Sequence, residues 1–207
     1  NDKRIVQAVR NGSLDEAILD TAVARILTLV SRASAAATDS YSCDIEAHHL
    51  LARRAAAASA VPLKNDSAVL PITSPDDVVV IGEFARTSCY QGAGSSKVNP
   101  TRLDTALNAL QEVWGDVPFS PGFSLSDQPN PQLADEAVSM AKGHIAVLFL
   151  GLPDIIESEG YDRTSTVLPA DQVDLLRQVR EVTIHCWLGG QASGNGAVDV
   201  LTGQGQP

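Results

Sequence analysis

The chain has 207 residues, 44% of them apolar, and a formal net charge of −10. That length buries one medium core with room for a helical appendage. Phosphate backbones and anionic lipid repel such a chain, and 4% aromatics offer little for base stacking, so nucleic acid and membrane are not expected partners and a neutral ligand fits better.

Residues 1–33 read as helices interrupted by a turn at Asn11-Gly12. Ser13 and Glu16 have capping-box spacing, with Ser13 expected to accept from the backbone at Glu16. Behind them Ile18, Ala22, Ile26, Leu29 and Val30 fall on one helical face. That stripe needs a cover, because a lone amphipathic helix is marginal in water. Residues 34–45 are small and polar and read as a linker. Residues 46–61 are strongly helix-forming, and Pro62 ends the pattern.

An alternating pattern follows. Val78-Val79-Val80-Ile81 is a continuous apolar run ending at Gly82, and Ile145 to Leu150 is a second ending at Gly151. Both read as buried strands of a parallel sheet. Residues 103–113, 132–142 and 170–181 read as helices, the last with Val173, Leu175, Leu176 and Val179 as its apolar face. Strands alternating with helices imply a layered α/β fold with ligands beyond the carboxyl ends of the strands. Here those are the loops after Ile81 and after Leu150. No apolar run reaches membrane-spanning length and no signal peptide opens the chain. The location is left open, with cytoplasmic favoured.

Three cysteines, Cys43, Cys89 and Cys186, form neither a CxxC pair nor an even set, so they read as reduced thiols rather than a disulfide or zinc framework. His48 and His49 are adjacent on a helix and point in different directions, so no metal is expected there. No other cofactor is implied.

Two loops could carry chemistry. Tyr90-Gln91-Gly92-Ala93-Gly94-Ser95-Ser96-Lys97 is glycine-rich, which lets backbone approach a ligand closely, but it lacks phosphate-loop spacing. Glu157-Ser158-Glu159-Gly160-Tyr161-Asp162-Arg163 packs three carboxylates, a guanidinium and a phenol into seven residues. Clustered carboxylates separate one another's pKa values, as a general acid requires, and Arg163 is placed to grip Asp162. From the residues alone, a solvated acidic loop is the favoured reading. No GxSxG elbow exists, since Gly190-Gln191-Ala192-Ser193-Gly194 has its serine one place late.

The order of the motifs adds to this. Asn11-Gly12-Ser13-Leu14-Asp15 through Leu27, Leu51-Ala52-Arg53 through Asp66 with Leu70-Pro71, the Tyr90 to Ser96 loop, Glu157 to Arg163 with Leu168-Pro169 and Gln172, and Trp187 to Gln191 with Asp199 to Gly203 resemble glycoside hydrolase family 3. The resemblance implies a three-layer α/β/α sandwich with a mostly parallel sheet, preceded by a helical segment. Residues 1–45 would be the closing helices of a barrel domain plus linker, and 46–207 the family's C-terminal domain, shortened near 183–186. It also implies retaining hydrolysis of terminal β-linked sugars, with a barrel aspartate as nucleophile and a glutamate of this domain as acid/base. By position that glutamate is Glu159, with Glu157 the runner-up. Ser95, Ser96, Asp162 and Arg163 would line the sugar site. A β-glucoside or short oligosaccharide is the expected ligand. The barrel motif is absent from these residues, and an open sheet edge invites pairing, so the expected partner is a second copy or a separate barrel domain. The alternatives are a non-catalytic carbohydrate- or partner-binding module and a serine esterase-like hydrolase using the glycine-rich loop.

Overall fold

A computed structural model of the chain describes residues 2–37, 42–65, 68–126, 128, 130–179, 183–185 and 189–206. Asp66, Cys186, Trp187 and Leu188, used above, lie outside these residues, as does part of the stretch expected to be shortened. The chain divides into two compact units, residues 1–43 and 44–207.

The first unit is two helices, α1 (Asp2–Arg10) and α2 (Glu16–Ala36). The expected capping box does not form. Asp15 caps α2, its carboxylate accepting from the Ala17 amide at 2.9 Å, while the Ser13 hydroxyl donates to Asn11 Oδ1 at 2.7 Å. A helix starting at Glu16 puts Asp15 at the cap and leaves Ser13 in the preceding turn. Alanines at 33, 35 and 36 carry the helix into the expected linker. The apolar stripe of α2 is exposed, Ile18, Ile26 and Leu29 each by more than 60%.

The second unit begins with α3 (Ile45–Ser59), capped by Asp44. It continues through β1 (Val61–Lys64), β2 (Val78–Ile81), α4 (Ala106–Trp114), β3 (Phe119–Ser120), α5 (Pro131–Ala141), β4 (Ile145–Leu148), α6 (Ala170–Gln178), β5 (Thr183–His185) and α7 (Ser193–Thr202). Strands β3, β2 and β4 form a parallel sheet in that order, with Val80 opposite Phe119 and Val78 opposite Ile145. Strands β1 and β5 form a separate antiparallel ribbon whose register shifts beside Pro62. A two-stranded ribbon tolerates a proline, which has no amide to donate.

The sheet is covered on both faces, as the unbroken apolar run of β2 demands. Val78 and Val80 pack with Leu107 and Leu110 of α4 and with Val198 and Leu201 of α7. Val79 and Ile81 pack on the other face with Phe123, Ala137 of α5 and Leu175 of α6. Burying each β2 side chain stabilises the core by about 1.5–3 kcal/mol. The result is a three-layer sandwich with a mostly parallel sheet. Helix α3 adds to the outer layer through Ala57 and Ala60 against Val200. Gly196 permits that contact, since a Cβ there would lie 2.6 Å from Ala56 Cβ.

Candidate active site

Because β2 and β4 are parallel neighbours, the segments that leave their carboxyl ends emerge on the same side of the sheet. The glycine-serine loop after β2 and the acidic loop after β4 therefore meet. Ala93 and Ser158 form a parallel bridge, and the Glu159 amide donates to the Ala93 carbonyl at 2.9 Å. Gly94 allows the approach: its φ is +99°, and a Cβ there would sit 2.8 Å from Glu159 Cβ.

The Glu159 side chain then turns back onto the serine loop. The Ser95 hydroxyl and the Ser96 amide both donate to Oε2, the amide at 3.0 Å. A second brace lies alongside, where the Lys97 ammonium meets Asp154 Oδ2 at 2.8 Å and sits 5.9 Å above the Tyr90 ring. The loop is tied within itself by the Tyr90 hydroxyl on Val98 O at 2.8 Å and by Gln91 on Ser96 O at 3.0 Å.

Arg163 makes its contact with Glu157 through Nε, not with Asp162 as expected. Side chains adjacent in sequence leave the backbone in different directions, whereas the turn after Pro153, closed by the Glu157 amide on Pro153 O at 3.0 Å, brings Glu157 round to the guanidinium. The contact is an ion pair without hydrogen-bond alignment. Of the six residues singled out in sequence, Glu159, Ser95 and Ser96 form one group, Glu157 and Arg163 another, and Asp162 is exposed.

Two features escape sequence reasoning. Gln172 of α6 is 1% exposed and its Oε1 accepts from the Gly151 amide at 2.9 Å, fixing the start of the acidic loop. In the sequence it stands only as one residue of the motif order that resembles the family, with no role attached. The second is a buried hub behind the loops. His49, 2% exposed, bonds Asp104 through Nε2 at 2.7 Å and Gln191 through Nδ1 at 2.9 Å. The two ring nitrogens thus bridge the Asp104 carboxylate and the Gln191 amide. Asn195 also donates to Asp104, and Arg102 Nε reaches its other oxygen at 2.8 Å. Burial alone would push the Asp104 carboxyl up, but hydrogen bonds from Arg102 and His49 outweigh it and hold the group below the usual 3.8. The hub touches the site through the backbone, where Gly190 N–H donates to Tyr90 O at 2.9 Å.

Among the described residues, Cys43 and Cys89 are free thiols. Burial first, and then Asp154, pushes the Cys89 thiol up, so it stays protonated. Among the described residues, no helix is long and apolar enough to cross a membrane.

Residues 60–184 match the Glycosyl hydrolase family 3 C-terminal domain. The chain is 38% identical to the exo-alpha-(1->6)-L-arabinopyranosidase of Bifidobacterium longum, over all of this chain and 32% of that protein. It is also 38% identical to thermostable beta-glucosidase B of Acetivibrio thermocellus, over all of this chain and 31% of that protein. The chain thus spans about a third of the length of these relatives. In three dimensions it superposes on the GH3 beta-glucosidase of Bifidobacterium adolescentis with a TM-score of 0.85 and 36% identity, covering 98% of this chain and 34% of that one. A parallel sheet between helical layers, loops meeting at its carboxyl end and these matches have one reading: the chain belongs to glycoside hydrolase family 3 and carries its C-terminal α/β sandwich.

Proposed function

We propose that this chain supplies the acid/base half of a two-carboxylate glycosidase site, with Glu159 as the acid/base and the nucleophile coming from a barrel domain that these 207 residues do not include. The observation that carries the reading is the loop-to-loop junction, which holds one carboxylate, Glu159, at the carboxyl end of the sheet. Glu157, the runner-up, is turned to Arg163 instead of to the serine loop.

In retaining hydrolysis one carboxylate bonds the anomeric carbon while the acid protonates the leaving oxygen, and the same group then takes a proton from the attacking water. Glu159 fits the second role. Asp162 is exposed and available to a sugar hydroxyl, and Arg163 stands beside it. Ser95 and Ser96, expected as sugar lining, bond Glu159 and so reach the substrate through it. The substrate class is a terminal β-linked sugar. One carboxylate cannot form a glycosyl-enzyme intermediate alone, so the isolated chain is inactive.

Release of nitrophenol from an aryl β-glucoside tests this. The purified chain alone should release none above background, and the chain mixed with a family barrel domain should. Glu159→Gln should then lower the rate by roughly 10²–10⁴-fold. Activity that survives Glu159→Gln removes the assignment, and robust activity of the chain alone removes the half-site reading.

Self-association belongs to the same proposal. Strand β4 ends the described sheet and α2 presents exposed Ile18, Ile26 and Leu29, both of which favour a second copy or a barrel as cover. Sedimentation should find dimers or larger species at high concentration; a strict monomer would contradict it.

A further inference from the structure

We propose that Ser95 and Ser96 are positioning residues that anchor Oε2 of Glu159 and so leave Oε1 as the oxygen that carries and transfers the proton. This rests on the acid/base reading of Glu159 and goes beyond it to a single atom.

The geometry points to one oxygen. The Ser95 hydroxyl and the Ser96 amide converge on Oε2, and no described residue bonds Oε1. Two donors on an ionised carboxylate are charge-assisted and hold it firmly. When the group is protonated, the arrangement survives only if the proton is on Oε1. Oε2 is then the carbonyl oxygen, whose two lone pairs still accept both donors. A proton on Oε2 would displace one of them. The cradle therefore suits both states that an acid/base passes through, and in the protonated state it assigns the proton to the open oxygen. In the acid step the proton leaves Oε1 for the departing oxygen as that oxygen's bond to the anomeric carbon breaks and a barrel carboxylate bonds the carbon. In the base step water's oxygen bonds the same carbon, the barrel carboxylate leaves, and one water proton goes to Oε1.

The cradle is also built, not incidental. Its two halves are 63 and 64 residues apart in sequence. They are brought together by the Ala93–Ser158 bridge, by the amide of Glu159 on Ala93 O, and by a glycine at 94 where any Cβ would collide with Glu159. Gln172 fixes one loop at Gly151, and Gly190 fixes the other at Tyr90.

Amide hydrogen exchange followed by NMR on the purified chain tests the cradle without needing turnover. The Ser96 amide should exchange about tenfold or more slowly in the wild type than in Glu159→Ala, with the Val80 amide unchanged as a control for folding. Ser95→Ala should lose part of that protection and Ser95→Thr, which keeps a hydroxyl, should restore it. Equal Ser96 exchange in wild type and Glu159→Ala overturns the proposal, as does failure of Ser95→Thr to restore protection lost in Ser95→Ala. The two readings separate cleanly. Loss of activity in Glu159→Gln with no cradle seen by exchange sinks the positioning role alone, while activity that survives Glu159→Gln sinks the acid/base reading and Oε1's role with it.

Discussion

Two polar networks join distant parts of the second unit, and they lie at opposite ends of the burial scale. In the hub, His49, Asp104, Gln191 and Asn195 bond one another, with His49 2% and Asn195 5% exposed. In the cradle, Ser95, Ser96 and Glu159 bond across exposed loops. Water competes for every bond in the cradle and for almost none in the hub. A broken hub bond leaves a stranded polar group, whereas a broken cradle bond is replaced by solvent. The hub is therefore architecture, joining α3, the start of α4 and α7, and the cradle is a place where a carboxylate is held in reach of solvent and of a ligand. Polar density alone does not separate structure from site; burial does.

The sharpest way to break this contrast is at His49. His49→Ala opens a cavity and removes one partner from Asp104 and one from Gln191, and should cost about 3 kcal/mol in urea unfolding. A change below about 0.5 kcal/mol would mean that the hub is not structural. The acid side of the stability curve is the next lever. The folded Asp104 carboxyl is depressed below 3.8, so the unfolded chain takes up that proton first as pH falls. Its stabilisation is present above 3.8 and is lost as pH drops through the lower folded value. Asp104→Asn should be less stable than wild type at neutral pH, and the gap should narrow below pH about 4. A gap that stays constant with pH would contradict the assignment.

In the cradle, Gly94→Ala combines a positive φ with a collision against Glu159 and should cost about 1–2 kcal/mol. The loss should come with unprotected Ser96 and an intact hub, both visible by amide exchange. If the Ser96 amide stays protected, the close approach at Gly94 is not what builds the cradle. The smallest effect belongs to Lys97. Its pair with Asp154 is exposed on both sides, so Lys97→Ala should change stability by less than about 0.5 kcal/mol in thermal unfolding. A larger loss would place the Lys97 brace with the hub rather than with the cradle.

The amino-acid pattern by itself determined the layered α/β fold. Val78–Ile81 and Ile145–Leu148 are strands because continuous apolar runs must be covered on both faces, and helices at 106–114, 131–141 and 170–178 fall where amphipathic spacing requires them. It also pointed to the two loops that the structure brings together, since parallel neighbours send their following segments to one side. Less of the rest was legible. β1 carries a proline that local rules count against a strand, and only pairing with β5 makes it one. β3 is two residues long, below any periodicity. Helix α7 contains Gly194 and Gly196, poor helix formers locally, kept because a Cβ at 194 would meet the backbone of Asp104 and Thr105 within 2.5 Å. Tertiary structure alone decided the partners. Asp15 rather than Ser13 caps α2, Arg163 takes Glu157 rather than Asp162, and Ser95 and Ser96 take Glu159. Spacing in a sequence fixes which faces must be buried, because the hydrophobic effect acts on area, but a hydrogen bond is directional and its partner is chosen by where the chain returns in space.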